Sequence, residues 1–322
     1  MSIISIILVK QNYNKDKNTT KDKLESSENI LECPEKNIVG LLNHDYVCYF
    51  NSIIQALYYQ PNFIDKLFSY SSNEHQICII LLKDIFTQMS EGKIVDTSKY
   101  LKRIIAVTQW RKIFEIGKYQ DASRCLYIIF DQIEKEIIHT LSLKYREIVD
   151  ITKIQSNNFI SDFFRLELTC SSYCSYSKET KTYKTNPYFL CLFLDKSVQE
   201  SINKYFSIHK SVCENHLDES ELHCEINRKE ISVYSSNIII KHSLFPPTTD
   251  VLINNKIIIQ NFEYIFTACI FHVESVHYYT VVVSETSIYE LNDIKVKKLN
   301  IQSIEDLESK DIPYFLFYRR LN

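Results

Sequence analysis

Residues 40–63 read GLLNHDYVCYFNSIIQALYYQPNF. Cys48 stands immediately before a segment in which Ile53, Ile54, Leu57 and Tyr58 fall at helical spacing, so an amphipathic helix is predicted to begin there. Pro61 is expected to stop that helix, because proline lacks the N–H a helix interior needs. Exposed N–H groups and the positive end of the helix dipole favour a thiolate over a thiol. The thiolate is the form that attacks a carbonyl. A cysteine near a helix start is nonetheless more often a small buried apolar residue, so the position alone does not assign a nucleophile.

Outward from this segment, residues 37–140 read as mostly helical. Ala122, Leu126, Ile129, Ile133 and Ile137 mark one face of a second helix, with Asp121 placed as its N-cap. From about residue 158 the pattern turns to strands. The runs YFLCLFLD (188–195), NIIIKHSLF (237–245), KIIIQNFEYIFTACIFHV (256–273), HYYTVVVS (277–284) and YFLFYRR (314–320) are rich in β-branched and aromatic residues. Helices first and strands later predict an α+β architecture rather than alternating βαβ units.

The 322 residues are 45% hydrophobic and 24% charged, the balance of a globular protein. A net charge of −3 gives no reason to expect nucleic acid or an anionic membrane as partner. Ten cysteines are scattered singly, which favours free thiols in a reducing intracellular compartment, cytoplasmic or nuclear. The opening SIISIILV (2–9) is too short to span a bilayer and lacks a basic flank, so it reads as a strand or docking segment. Residues 10–36 are polar and charged, the composition of a flexible linker. The expected division is therefore 1–36 as segment and linker and 37–322 as one catalytic-size domain.

Gly40, Leu41, Asn43, Cys48, Tyr49, Asn51, Ser52, Gln55, Leu57, Pro61 and Phe63, with Phe50 and Ile54 as near-equivalents, stand in unbroken register with a known motif. They resemble the cysteine box of the ubiquitin-specific protease family, G-L-x-N-x-G-N-T-C-Y-M-N-S-x-L-Q-x-L-x-x-x-P-x-F. Residues 264–296 are similar to that family's histidine box: His277-Tyr278 stands where G-H-Y does, His272 matches the earlier histidine, and Tyr289, Leu291, Asn292, Asp293 and Val296 match the downstream part. Gln120, Asp121, Ala122 and Leu126 resemble the family's Q-Q-D-A-x-E-F-L helix start, and IPYFLFYRR resembles its closing strand. The boxes run from residue 40 to 320. The chain is thus identified as a divergent compact member.

The resemblance implies a papain-like cysteine protease fold with a helical thumb (about 37–150), β fingers (about 158–236) and a β palm (about 237–320). It implies Cys48 as nucleophile, His277 as base, Asn292 as the group orienting the imidazole, and Asn43 as an oxyanion donor. Asp293 is the alternative orienter; Asp121, Gln120, His272 and Asp293 are carried over as substrate-binding residues. The implied partner is ubiquitin or a ubiquitinated protein, met by a monomer. A non-catalytic ubiquitin-binding scaffold, or a protease for another ubiquitin-like modifier, are the alternatives. No cofactor is implied for catalysis. The family often has a zinc site of two C-x-x-C pairs; here Cys170 and Cys174 are one spaced pair, Cys213 and His216 have ligand-like spacing, and the other expected pair is degraded at Cys224 and Asn227. A remnant that no longer binds zinc is the preferred reading. The departures are Asp45-Tyr46-Val47 in place of Gly-Asn-Thr, Val276 in place of a glycine, and Arg124 in place of a glutamate.

Overall fold

A computed structural model describes residues 37–107, 114–145, 158–212, 224–243, 250–274, 276–285 and 287–321. Residues from Lys36 onward form one compact unit. The segment and linker expected over 1–36, and two of the candidate zinc ligands, Cys213 and His216, lie outside the described residues.

The first half is helical. Helices α1 (Cys48–Tyr58), α2 (Pro61–Ser69), α3 (Ile77–Ser90), α4 (Ser98–Val107) and α5 (Ala122–Tyr145) are accompanied by a two-stranded parallel pair, β1 (Leu41–Leu42) with β2 (Val95–Asp96). The predicted face of α5 is in the core: Ala122, Leu126, Ile129, Ile133 and Ile137 are all buried. Asp121 caps it, its Oδ1 accepting the Arg124 N–H at 2.8 Å. Pro61 behaves differently from the expectation. Helix α1 has already ended at Tyr58, and Pro61 is the first residue of α2, where a missing N–H costs nothing and a fixed φ suits the helix.

Helix α1 also corrects the amphipathic reading. All eleven of its residues are buried, polar ones included. A helix without a solvent face must satisfy each polar side chain internally. Ser52 donates to the Cys48 carbonyl and Gln55 to the Val39 carbonyl, while Asn51 is turned toward the loops that carry the site.

The second half supplies an eight-stranded sheet in the order β13 (Lys295–Leu299), β12 (Ser287–Asn292), β11 (His277–Ser284), β10 (Phe262–Val273), β14 (Ile312–Arg320), β8 (Asn237–His242), β5 (Leu190–Leu192), with β9 (Lys256–Ile259) also paired to β10. Neighbours are antiparallel except β5 with β8. The central strands are covered on both faces: Ala268, Ile270 and Phe317 pack toward the helices, whereas Cys269, Phe271 and Tyr318 pack into a second core on the far side. Two-sided burial is why these strands read as continuous apolar runs instead of alternating ones.

A separate antiparallel sheet, ordered β4 (Thr180–Thr185), β3 (Glu167–Cys174), β7 (Cys224–Val233), β6 (His209–Val212), occupies the stretch assigned to the fingers. Two helices interrupt a region read as strands, α6 (Phe159–Phe164) and α7 (Val198–Phe206). Each carries a side-chain N-cap, Asn158 to the Ser161 N–H and Ser197 to the Glu200 N–H. The S-x-x-E spacing of Ser197 and Glu200 is a helix-start signal that the β-rich surroundings mask. Only Leu190–Leu192 of the 188–195 run forms a strand.

Cys170 lies between Tyr183 and Lys229 in the register of this sheet, and Cys174 pairs with Glu225. Among the described residues no group of three or more His, Cys, Asp or Glu side chains gathers in a way that could hold a metal. No described helix is long and apolar enough to cross a membrane.

Candidate active site

Cys48 is the first residue of α1, which packs against β11, the strand that His277 begins. The sulfur lies 3.8 Å from the Val276 carbonyl oxygen, a contact between positions 228 residues apart. The Tyr278 N–H also reaches it. Backbone on both sides of His277 therefore touches the nucleophile candidate.

The imidazole is held from the other side. His277 Nε2 is 2.8 Å from Asn292 Oδ1. An amide oxygen can only accept, so Nε2 carries the hydrogen and Nδ1 is left as the basic nitrogen. The hairpin explains the meeting: β11 and β12 are antiparallel neighbours, with Thr280 opposite Leu291, so the end of β12 returns to the start of β11. Asp293 is farther away, its Oδ2 4.0 Å from Nε2.

The Asp293 carboxylate is instead tied to the nucleophile's loop. Its Oδ2 accepts from Asn43 Nδ2 at 2.8 Å and its Oδ1 from Asn51 Nδ2 at 2.7 Å. Thr97 completes the chain by donating to Asn51 Oδ1. Asp293 has a left-handed φ of 51°, and its backbone carbonyl accepts the Leu41 N–H at 2.9 Å. Gly40 makes this docking possible: a Cβ on it would fall 2.3 Å from the Ile294 carbonyl oxygen. Asn43 Oδ1 accepts the Val47 N–H. Its amide nitrogen has two hydrogens, one on Asp293 and one left to donate.

Burial is the largest influence on the Cys48 thiol and pushes it up. The Tyr278 N–H pulls it down, the Asp293 carboxylate raises it again, and the N–H groups of Tyr49 and Cys48 itself lower it. The result lies above the ordinary 9.0. The helix start does stabilise a thiolate, as its position suggests, but desolvation wins. With burial holding the thiol up, Nδ1 of His277 is the group chemically suited to take its proton.

The nucleophile's loop adopts left-handed backbone at two consecutive non-glycine residues, Asp45 (φ 62°) and Tyr46 (φ 57°), and Glu274 (φ 47°) does so in the turn before His277. Aspartate tolerates this conformation better than most residues; an ion pair from Lys102 to Asp45 helps hold it.

Of the other carried-over binding residues, Asp121 and His272 both meet Tyr314, while Gln120 does not turn toward them. Asp121 accepts from Ser123 and Tyr314 hydroxyls as well as the Arg124 N–H. Its carboxyl is subject first to burial, which raises it, but these three hydrogen bonds and the nearby Lys241 outweigh that and hold it below the ordinary carboxylate range. Gln120 turns back to its own loop, donating to the Glu115 carbonyl at 3.5 Å. His272 stacks on Tyr278 at 4.4 Å, across the β10–β11 pair. Sequence reading passed over Asn51 as a partner of Asp293, took Tyr278 only as the motif neighbour of His277, and missed Thr97 and the contact of Tyr314 with Asp121. An asparagine and a glutamine inside the apolar run CYFNSIIQALY are a signal that could have pointed to the first.

A model of the ubiquitin carboxyl-terminal hydrolase family matches residues 39–318. The chain belongs to the ubiquitin carboxyl-terminal hydrolase family. Comparison with curated proteins found no match. Membership agrees with the α+β, papain-like arrangement of helices and sheets described above. It implies ubiquitin C-terminal hydrolase activity in general and, as substrates, ubiquitin and its conjugates.

The depressed Asp121 carboxyl has a testable consequence for this hydrolase. A group whose folded pKa is lowered adds stability above its unfolded pKa and loses it as pH falls through the folded one. Wild-type stability is therefore expected to decline on acidification below about pH 4, and Asp121→Asn should lack that increment while being less stable at neutral pH. Denaturant midpoints measured at several pH values between neutrality and pH 3 check this; parallel curves for the two proteins would refute it.

Proposed function

We propose that the protein is a cysteine-type deubiquitinase in which Cys48, His277 and Asn292 act together. Cys48 attacks the carbonyl of the glycine ending ubiquitin's tail after Nδ1 of His277 takes its proton. The same imidazole donates to the leaving lysine amine, and water then hydrolyses the thioester. Asn292 keeps Nε2–H in place, and the remaining Asn43 hydrogen is available to the oxyanion, a donor worth about 3 kcal/mol in such sites. The observation that carries this reading is the 2.8 Å contact of His277 Nε2 with Asn292 Oδ1, made beside a sulfur that backbone on both sides of His277 touches. Cys48, Cys78, Cys125, Cys170, Cys174, Cys191 and Cys269 are free, which supports a reducing, intracellular setting.

One observation favours a second reading, a ubiquitin-binding scaffold: the Cys48 thiol is buried and rests on the Val276 carbonyl. Labelling with ubiquitin bearing a C-terminal electrophile separates the two. An adduct on Cys48 is expected, formed about tenfold or more slowly in Asn292→Ala, which loses the imidazole's orienting partner. Folded protein that binds ubiquitin and forms no adduct would leave the scaffold.

A further inference from the structure

The imidazole of His277 has two acceptors near one of its nitrogens, and the weaker one holds it. Nε2 lies 2.8 Å from the Asn292 amide oxygen and 4.0 Å from the Asp293 carboxylate. A carboxylate binds an N–H about twice as strongly as a neutral amide does, so a free Asp293 would take the ring. Asp293 is not free. Both of its oxygens are engaged, Oδ2 by Asn43 at 2.8 Å and Oδ1 by Asn51 at 2.7 Å.

Of these two holders Asn51 is the rigid one. It is buried, and each polar atom of its side chain has a partner. Nδ2 donates to Asp293 and, at 3.2 Å, to the Leu42 carbonyl, while Oδ1 accepts from the Thr97 hydroxyl. A carboxylate and a carbonyl can only accept, so the nitrogen must face them and the oxygen must face Thr97. Thr97 is itself fully buried. It follows β2, whose parallel pairing sets Leu42 opposite Asp96, and its carbonyl accepts the Tyr100 and Leu101 N–H groups at the start of α4. The amide is thereby locked between α4, the 41–42 strand and the turn that carries Asp293.

We propose that Asn51, fixed by Thr97, is a positioning residue that holds the Asp293 carboxylate off the imidazole and so selects the neutral Asn292 as its partner. The reaction needs His277 to give up the proton it takes from Cys48. A carboxylate bonded to Nε2–H would stabilise the imidazolium and retain that proton. The value of this selection rests on the hydrolase reading above, whereas the geometry is open to test without turnover. The other titratable groups around the start of β11 are the Cys48 thiol of α1, Glu274 of the preceding turn and His272 of β10. None of them is altered by the substitutions that follow.

The test takes the full chain with isotope-labelled histidine and follows the His277 ring signal by NMR through a pH titration, assigning it by its loss in His277→Gln. In Asn51→Leu the midpoint is expected to rise by about half a pH unit or more. The rise should vanish in Asn51→Leu/Asp293→Asn. Asn51→Ser, too short to reach Asp293 but able to serve the Thr97 hydroxyl, gives the same rise should the leucine protein not fold. Labelling of Cys48 by the ubiquitin electrophile supplies a second arm. Asn292→Ala should slow it less than about threefold in the Asn51→Leu background, where Asp293 replaces the lost amide, against about tenfold or more in wild type. A midpoint that stays or falls overturns the proposal. So do penalties that multiply, since a merely structural Asn51 would leave the ring's partner unchanged. Wild-type protein that forms no adduct fails the hydrolase reading instead, and the titration alone then decides the positioning role.

Discussion

Cys48→Ser is expected to remove turnover of ubiquitin conjugates by about four to six orders of magnitude while leaving the fold intact. The size of the effect follows from what the site provides. The helix start and the Tyr278 N–H are arranged around a large polarisable sulfur, and a serine hydroxyl is far harder to deprotonate than a thiol in the same buried place. The substitution is nearly isosteric, so the buried environment of α1 should accept it. Steady-state hydrolysis together with a thermal melt checks both halves. A serine variant that keeps a few per cent of wild-type turnover would place the nucleophile elsewhere.

The second large effect is expected at Gly40, which performs no chemistry. An added Cβ would meet the backbone carbonyl of Ile294 at 2.3 Å, and neither partner is a flexible side-chain tip that could swing aside. Gly40→Ala is expected to cost about 3 kcal/mol of stability. It should also lower kcat/KM about 100-fold in whatever fraction remains folded, because the turn it displaces carries Asp293 and sits directly after Asn292. Gly117→Ala makes the contrast: nothing lies within 4 Å of its added Cβ, and only the strain of a left-handed φ remains. Urea midpoints and kinetics on both variants test the claim. A Gly40→Ala protein as stable and as active as Gly117→Ala would refute the docking of the Asn292–Lys295 turn on residues 40–43.

The residues of the proposed reaction were legible because their signals are local. Cys48 lies in a gapless motif, and His277 and Asn292 are 15 residues apart on two strands of one hairpin, so pairing the strands in sequence already brings the amide to the imidazole. The helix face of α5 and the long apolar strands were readable for the same reason, since periodicity and composition need no knowledge of the rest of the chain. What escaped is set by partners far away in sequence. Nothing in CYFNS (48–52) or IVDTSK (94–99) announces that Thr97 will bond Asn51, or that Asn51 will hold Asp293 from 242 positions away. The burial of the whole of α1 was equally hidden: its polar residues read as a solvent face until the sheet and the 40–43 strand close over them.

The contacts that build this site have a consequence for when it can exist. Asn43 meets Asp293 across 250 residues and Cys48 meets Val276 across 228, while β14, the furthest along the chain of the described strands, lies inside the sheet between β10 and β8. During synthesis Cys48 emerges from the ribosome long before His277 and Asn292, the groups proposed to act with it, and β14 follows them. Such distant pairings form late and all at once. The site proposed for catalysis is therefore incomplete until residues 277–320 have been made and paired, so a chain stopped before them is expected to carry Cys48 without its proton acceptor.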